Sequence, residues 1–289
     1  MRDGYQAGGR TSSRVTLRVL AFDSGIGGLG IVAALRDALP SAEIDYLADT
    51  AVYPYGEQDD AFLIARIVSL IQDAVARLSP DAVVIACNTA STLALEALRG
   101  VCPVPVIGCV PPIRWAARLS RTRVIGLLAT TATVRRPYVA ALQARFAPDC
   151  TLIAHGARHL ADCAEAVFRG APADPELIRR ALAGLSDRPE GGKIDAVALG
   201  CTHYTFLMDA FRAASPEGVA WLDPAAAVAR QTATVLGVDR AAVPVFSESK
   251  GSAWFTAEPA GAAELEAGLH RFGYTGFSLW QPAVAVSPI

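Results

Sequence analysis

The amino-acid sequence predicts an α/β protein made of two similar α/β domains with mainly parallel sheets. Short apolar runs alternate with longer amphipathic runs along most of the chain, which is typical of parallel strands joined by crossover helices. This alternation forms one series and then restarts near residue 123. One nine-residue segment also recurs in related form in the second series. The length of 289 residues agrees with about two domains.

In the first series, each predicted strand is a short apolar run bounded by turn residues. Strands are expected at residues 18–22, 44–47, 82–86 and 104–107. Amphipathic spacing predicts helices at residues 29–39, 61–78 and 91–99. Pro40, Pro80 and Gly100 follow these helices closely, as expected for residues that end a helix.

The second series repeats this order. Strands are expected at residues 123–128, 151–154 and 194–199, and helices at 134–146 and 174–185. Pro175 would lie in the first turn of the latter helix, where proline is well tolerated.

The recurring segment ends each of two predicted strands with a cysteine. Residues 81–89 read DAVVIACNT and residues 195–203 read DAVALGCTH, which places Cys87 and Cys201 at equivalent positions. Ligands of parallel sheets bind outside the carboxyl ends of the strands. Two unrelated buried strands could share an apolar pattern, but the matched cysteines indicate a site with one thiol from each half.

Composition excludes several classes of protein. The chain has 28 acidic and 26 basic residues, so it lacks the basic excess of a general nucleic-acid binder. Six cysteines without a Cys-x-x-Cys pair favour a reducing, cytoplasmic setting over a disulfide scaffold. Residues 1–14 predict a disordered extension, and no apolar run approaches the ~20 residues of a membrane helix. We therefore expect a soluble intracellular protein without nucleic-acid or membrane partners.

A glycine motif suggests an alternative function. Gly25, Gly27 and Gly30 satisfy G-x-G-x-x-G between a predicted strand and a predicted helix, and Asp45 and Asp49 follow about 20 residues on. This arrangement would suit an NAD-dependent oxidoreductase. Against it, the motif is preceded by an aspartate at the strand tip, whose carboxylate would repel a pyrophosphate.

Four segments together resemble the signature segments of glutamate racemases, a cofactor-independent branch of the aspartate/glutamate racemase superfamily. They are residues 23–28 (DSGIGG), 54–56 (PYG), 86–91 (ACNTAS) and 200–204 (GCTHY). The similarity extends from about residue 18 to about residue 275. It implies that a second domain, residues 112–221, is inserted into a first domain of residues 15–111 and 222–289, with the active site in the cleft between them.

The resemblance implies racemisation by two bases on opposite faces of the substrate. Cys87 and Cys201 would act as the acid and the base, with Asp23 near the first thiol and His203 near the second. No cofactor is expected, because neither Lys193 nor Lys250 stands where a pyridoxal Schiff base would require it. The resemblance further implies L- and D-glutamate as substrates, a role in peptidoglycan synthesis, and a homodimer.

The family's substrate contacts match polar and backbone groups in the four segments and beyond them. By resemblance, these contacts are Asp23, Ser24, Pro54, Tyr55, Gly56, Asn88, Thr89, Thr202 and His203. Thr130 and Thr133 resemble threonines that help to bind the side-chain carboxylate, although such threonines also cap helices.

The sequence departs from the family in three places. Residues 154–165 lack the family's Ala-Cys-Pro stretch and its downstream glutamate, for which Asp162 and Glu165 are the nearest acids. Pro111-Pro112 replaces a usual Glu-Pro, and Thr205 stands where proline is common. These changes leave open a substrate other than glutamate, such as aspartate, or a non-catalytic binding protein that keeps the cleft.

One spacing suggests a metal site. His155, His159 and Cys163 occur at i, i+4 and i+8 and would share a face if the segment were helical. Gly156 and the lack of a clear fourth ligand favour a surface or loop segment instead.

Overall fold

The computed structural model describes residues 16–238 and 250–282. The extension expected over residues 1–14 lies outside this range. In chain order, the described strands are β1 (Arg18–Asp23), β2 (Glu43–Ala48), β3 (Ala82–Ile85), β4 (Val106–Gly108), β5 (Val124–Ala129), β6 (Thr151–Gly156), β7 (Ala196–Gly200), β8 (Ala220–Leu222), β9 (Ala253–Phe255) and β10 (Ser278–Leu279).

The described α-helices connect and cover these strands. They are α1 (Leu29–Ala38), α2 (Asp60–Leu78), α3 (Asn88–Val101), α4 (Ile113–Leu119), α5 (Thr131–Val134), α6 (Pro137–Phe146), α7 (Leu160–Phe168), α8 (Pro175–Ser186), α9 (Met208–Ala214), α10 (Ala225–Val235) and α11 (Ala262–His270). Short 3-10 turns lie at Thr50–Val52, Tyr55–Glu57, Gly191–Lys193 and Thr202–Leu207.

The strands form two parallel sheets, which confirms the predicted fold class. The first has the order β10-β9-β2-β1-β3-β4 and the second the order β6-β5-β7-β8. Every recorded pairing between the described strands is parallel. Because β9 pairs with β2, the chain returns to the first sheet after completing the second.

Both faces of the central strands are buried, as is usual for parallel sheets. Along β1, Val19 and Ala21 pack into one core while Leu20 and Phe22 pack into the core on the opposite face. Alternate side chains of a strand point to opposite faces, so one short apolar run supplies two cores. This explains why β1 reads as a continuous apolar run.

Two predicted helices differ from the structure in an informative way. The helix expected at 134–146 begins three residues later, as α6, because Pro137 lacks an N–H and occupies the first turn, and Val134 instead ends the separate short helix α5. The helix expected at 91–99 begins earlier, at Asn88, directly after Cys87. Asn88 and Thr89 therefore lie in the first turn of this helix, next to the Cys87 thiol.

Sheet membership agrees with an inserted second unit but does not test its exact limits. Strands β5 to β8 occupy residues 124–222, and the expected boundary between residues 221 and 222 falls inside β8. The division at residues 112 and 221 therefore stays a prediction.

Candidate active site

The carboxyl ends of strands from both sheets meet around one small cavity of about 30 Å³. Cys87 follows β3 of the first sheet, and Cys201 follows β7 of the second. The cavity is lined by Ser24, Tyr53, Pro54, Tyr55, Gly56, Cys87, Asn88, Thr89, Thr130, Ala161, Cys201, Thr202 and His203. The topology thus brings two cysteines that are distant in sequence to a single site.

Most of the residues that the sequence suggested line this cavity directly. Two of the suggested residues, Asp23 and Thr133, do not line the cavity but form hydrogen bonds with residues that do. Asp23 is fully buried and accepts a 3.0 Å hydrogen bond from the Thr202 hydroxyl, and Thr133 lies 2.9 Å from Thr130 through their hydroxyls. Tyr53 and Ala161 line the cavity without having been predicted.

The surroundings of Cys87 favour its neutral form. The sulfur lies 3.9 Å from the Ser24 hydroxyl. Burial, and then the nearby Asp23 carboxylate, raises the pKa of the Cys87 thiol well above its usual range, despite an opposing hydrogen bond from the Ala90 backbone. Burial also raises the pKa of Asp23, although the His203 charge and the Ser24 and Thr202 hydrogen bonds oppose it.

The surroundings of Cys201 are different because a charged histidine stands beside it. The Cys201 sulfur lies 3.9 Å from His203 Nδ1, and His203 Nε2 lies 3.1 Å from Glu165 Oε1. Burial lowers the pKa of His203, but its interactions with Cys201 and Glu165 outweigh that effect and raise the pKa well above its usual value. The imidazole can therefore remain cationic next to the sulfur.

Glu165 is a residue of this site that sequence reasoning left unassigned. Besides contacting His203, it accepts hydrogen bonds from the Ile26 backbone at 3.0 Å and from Arg169 at 3.1 Å. Burial raises the pKa of Glu165, but these partners outweigh it, so that the pKa lies below its usual value. The only signal in the sequence was that Glu165 and Asp162 are the acids nearest an altered segment. Asp162 instead bonds to the Tyr53 hydroxyl.

Asn88 has an unused hydrogen-bonding capacity inside the cavity. Its side chain is 1% exposed, and both its amide oxygen and its amide nitrogen lack a partner. Buried polar groups in native proteins are nearly always bonded. The unsatisfied amide therefore indicates a polar ligand at this position.

Three threonine hydroxyls form a row across the two sheets. Thr89 lies 3.4 Å from Thr130, which lies 2.9 Å from Thr133. The Thr130 hydroxyl also accepts from the Thr133 backbone N–H, so it caps α5 as well as facing the cavity. The structure therefore shows Thr130 as a helix cap, and the role of these threonines as substrate contacts stays a prediction.

The glycine motif is packed against α7 and the turn that follows β7, and leaves no room for a dinucleotide. A side chain at Gly25 would lie 2.5 Å from Glu165 Oε1, and one at Gly27 would lie 2.5 Å from His203 Nδ1. Glycine is required here because the side chains on the opposite wall approach the backbone closely. The NAD-oxidoreductase interpretation is therefore wrong.

The suggested metal ligands do not share a helical face. His155 lies on β6, whereas Cys163 lies on α7 and the side chain of His159 is 70% exposed. Within residues 16–238 and 250–282, no cluster of three or more His, Cys, Asp or Glu side chains is arranged to hold a metal ion. None of the helices in those ranges has the length and apolarity needed to cross a membrane.

Comparison with known proteins gives a consistent family assignment. The model of the Asp/Glu/Hydantoin racemase family matches residues 30–232. A glutamate racemase of Granulibacter bethesdensis is 52% identical over 267 residues, which cover 91% of this chain and 95% of the relative. A glutamate racemase of Salmonella typhimurium is 40% identical over 264 residues, covering 91% and 92%.

A solved structure shares the fold over nearly its whole length. Escherichia coli glutamate racemase, in complex with L-glutamate and the activator UDP-MurNAc-Ala, superposes with a TM-score of 0.83 at 37% identity, covering 91% of this chain and 98% of that one. The chain therefore belongs to the Asp/Glu/Hydantoin racemase family, within its glutamate racemases, and is an isomerase.

Proposed function

We propose that this protein interconverts L- and D-glutamate by a cofactor-independent exchange of the α-proton between two thiols. One observation carries the proposal: Cys87 and Cys201 come from equivalent strand ends of the two sheets and line the same cavity. Racemisation removes a proton from one face of the α-carbon and returns one to the other face, so it needs a base and an acid on opposite sides.

The different surroundings of the thiols support different resting roles. The raised pKa of Cys87 keeps it protonated, whereas Cys201 faces the cationic imidazole of His203. We assign the first proton removal to the Cys201 sulfur and the proton return to the Cys87 thiol. Turnover in the opposite direction exchanges the two roles.

Neutral donors support the binding of a dicarboxylic amino acid. Asn88 offers a free amide and Thr89 and Thr130 offer hydroxyls, whereas the Ser24 and Thr202 hydroxyls donate to Asp23 and can accept from the substrate ammonium. Cys87 and Asn88 also stand at the N-terminus of the 14-residue α3, whose dipole and free N–H groups favour an anion. The residues described as lining the cavity include no Lys or Arg, so hydrogen bonds, the helix dipole and the His203 imidazole carry the recognition.

The cavity is too small for glutamate until the two sheets move apart. About 30 Å³ holds only two or three water molecules. Paired side chains hold the sheets together, including Arg136 with Asp60 at 2.8 and 2.9 Å and Tyr53 with Asp162 at 3.0 Å. Opening would admit the substrate, and closing would exclude water from the carbanion-like transition state.

A second, larger cavity supports regulation of the same enzyme. It has a volume of about 710 Å³ and lies between α4, α6 and α10. Its lining contains Arg114, Arg118 and Arg230, the indole of Trp115, and no acidic residue. Such a lining suits an anionic ligand, and we propose that it binds an activator like the UDP-MurNAc-Ala of the E. coli enzyme.

This regulatory proposal is tested by titrating UDP-MurNAc-Ala against turnover. Activation of the wild type that is weakened in Arg230→Gln, but not in the exposed-arginine control Arg179→Gln, is the expected result. Activation unchanged by Arg230→Gln would exclude this cavity.

The physiological proposal follows the family. D-glutamate from a cytoplasmic enzyme would supply peptidoglycan synthesis, and the protein would act as a homodimer. We also propose the domain division at residues 15–111 with 222–289 and 112–221, which the membership of the two sheets supports. Sedimentation of the purified chain measures its oligomeric state directly.

The decisive experiment follows the α-proton by NMR in D2O. Wild-type protein should exchange and racemise glutamate, and aspartate and alanine should exchange far more slowly. The activity should need no added pyridoxal phosphate. Exchange on another amino acid with silence on glutamate would overturn the substrate, and silence on the whole panel would leave a binding protein.

A further inference from the structure

A buried carboxylate behind the cavity wall has no part in the proposed proton transfer. Asp49 follows β2, is fully buried, and does not line the cavity. It accepts four side-chain hydrogen bonds: from the Tyr55 hydroxyl at 2.7 Å, from Arg66 Nε at 2.7 Å and Nη2 at 2.6 Å, and from the Thr256 hydroxyl at 2.7 Å. Its oxygens are therefore well satisfied.

The partners of Asp49 come from separate parts of the fold. Arg66 lies on α2, Thr256 directly follows β9, and Tyr55 belongs to the turn that lines the cavity. The backbone N–H of Asp49 also donates to the carbonyl of Asp23, at 2.8 Å. Through its carboxylate and its backbone N–H, Asp49 thus contacts four segments around the end of the first sheet.

An ion pair this deeply buried is not explained by stability alone. Arg66 is 7% exposed and Asp49 fully buried, and the desolvation of such a pair opposes the gain from its attraction. A bidentate arginine, however, fixes the orientation of a carboxylate. The pair is therefore better suited to setting geometry than to adding stability.

Tyr55 connects the Asp49–Arg66 pair to the cavity. Its side chain points away from solvent, with the ring 6.5 Å from that of Phe22 and the hydroxyl on Asp49. Tyr55 and its neighbours Pro54 and Gly56 line the cavity. The position of this turn therefore depends on where the Tyr55 hydroxyl is held.

The preceding turn is tied to the same returning segment. The Thr50 hydroxyl lies 3.2 Å from the Ala257 N–H, and the Ala51 N–H lies 3.0 Å from the Thr256 hydroxyl. Segment 49–57 is thus held at its start by the chain after β9 and at Tyr55 by Asp49.

We propose that Asp49 and Arg66 are positioning residues that hold the Tyr55 turn in its substrate-binding geometry and so set the affinity for the substrate. This inference rests on the proposed function, because it takes residues 54–56 to contact the amino acid. It also assigns Asp49 a role other than contact with a dinucleotide, which its spacing from the glycine motif suggested. The carboxylate oxygens of Asp49 already accept hydrogen bonds from protein groups.

Tyr55→Phe tests the inference by removing one hydroxyl and keeping the ring. We expect KM for glutamate to rise about tenfold, as for loss of a hydrogen bond to a charged group, while kcat changes less than about threefold. The matched control is Tyr274→Phe, which removes an equally buried hydroxyl from the Ile44 carbonyl in the same sheet region. Its KM should equal that of the wild type.

Arg66→Lys provides a graded second variant, because lysine keeps the charge but not the bidentate contact. It should raise KM less than Arg66→Met does. An unchanged KM in Tyr55→Phe, or a loss carried mainly by kcat, would overturn the inference. Absence of glutamate racemisation by the wild type would instead refute the proposed function, so the two failures are distinguishable.

Discussion

Replacement of Glu165 by glutamine removes a charge from the site with little change of shape. Glu165 Oε1 lies 3.1 Å from His203 Nε2 and 3.0 Å from the Ile26 N–H, and Oε2 lies 3.1 Å from Arg169. Glutamine can still accept from Ile26 through its amide oxygen. The substitution therefore removes the negative charge that faces both the His203 imidazole and the Arg169 guanidinium.

The expected loss follows from the kind of hydrogen bond. A bond to a charged partner contributes about 1.5–3 kcal/mol and a neutral one about 0.5–1.5 kcal/mol, so the His203 contact should weaken by roughly 1–2 kcal/mol. If the cationic imidazole is needed throughout proton transfer, kcat/KM falls about 5- to 30-fold. The substitution also removes the ion pair with Arg169, in which the side chains of Arg169 and Glu165 are only 25% and 16% exposed, and this loss adds to the effect.

The pH profile separates this effect from a merely structural one. Glu165 is one cause of the raised pKa of His203, so the alkaline limb of kcat/KM should move to lower pH in Glu165→Gln. The pH at which the free energy of unfolding falls on the alkaline side should move in the same direction. A raised folded pKa stabilises fully below the usual value of about 6.5, and that stabilisation is lost as pH rises through the folded value.

The assay is racemisation of glutamate followed by circular dichroism across a pH series. Glu176→Gln is the matched control, since Glu176 is an exposed glutamate of the same unit that pairs with Arg179 and Arg180 and has a pKa lowered to about 2. The control should keep kcat/KM within about twofold of the wild type. A Glu165→Gln enzyme with the same kcat/KM and the same alkaline limb would refute the role given to the Glu165–His203 pair.

Three further outcomes are expected. Cys87→Ser and Cys201→Ser should each abolish racemisation while leaving the far-ultraviolet spectrum unchanged, and full turnover in either variant would exclude the two-base mechanism. Asn88→Ala should raise KM for glutamate about tenfold, since a buried amide would lose its ligand; an unchanged KM would remove Asn88 from the contacts. Phe168→Ala should lower the free energy of unfolding by about 3–5 kcal/mol in denaturant titration, because this 2%-exposed ring of α7 packs into the core of the first sheet. A loss below about 1 kcal/mol would contradict this packing of α7 on the first sheet.

Much of the fold and the two thiols could be predicted because the relevant signals are local. A strand buried on both faces must be apolar at successive positions, so β1, β3, β5 and β7 stand out in the sequence. The repeated cysteine at the end of two such strands then indicates a shared site, since parallel strands present their carboxyl ends at one edge. Pro137 is the local signal that starts α6 at residue 137 rather than at the expected residue 134.

The functional partners of the thiols could not be predicted in the same way. Glu165 is 38 residues from His203 along the chain, and no periodicity or motif connects them. The sequence spacing of Asp49 from the glycine motif suggested contact with a dinucleotide, yet its hydrogen-bond partners include Thr256, 207 residues away. A pairing between charged groups depends on how helices pack on the sheets, which a local pattern does not encode.

The sequence by itself therefore determined the α/β class, the parallel strands and the pair of cysteines, because burial and strand geometry leave their pattern in neighbouring residues. Only the tertiary structure decided which acid faces His203 and which carboxylate holds the Tyr55 turn. It also decided the meaning of the glycines, whose missing side chains make room for the opposite wall. The glycine contacts exist only once the two sheets are packed against each other, whereas the contacts of Glu165 and Asp49 depend on how helices and turns pack at the end of each sheet.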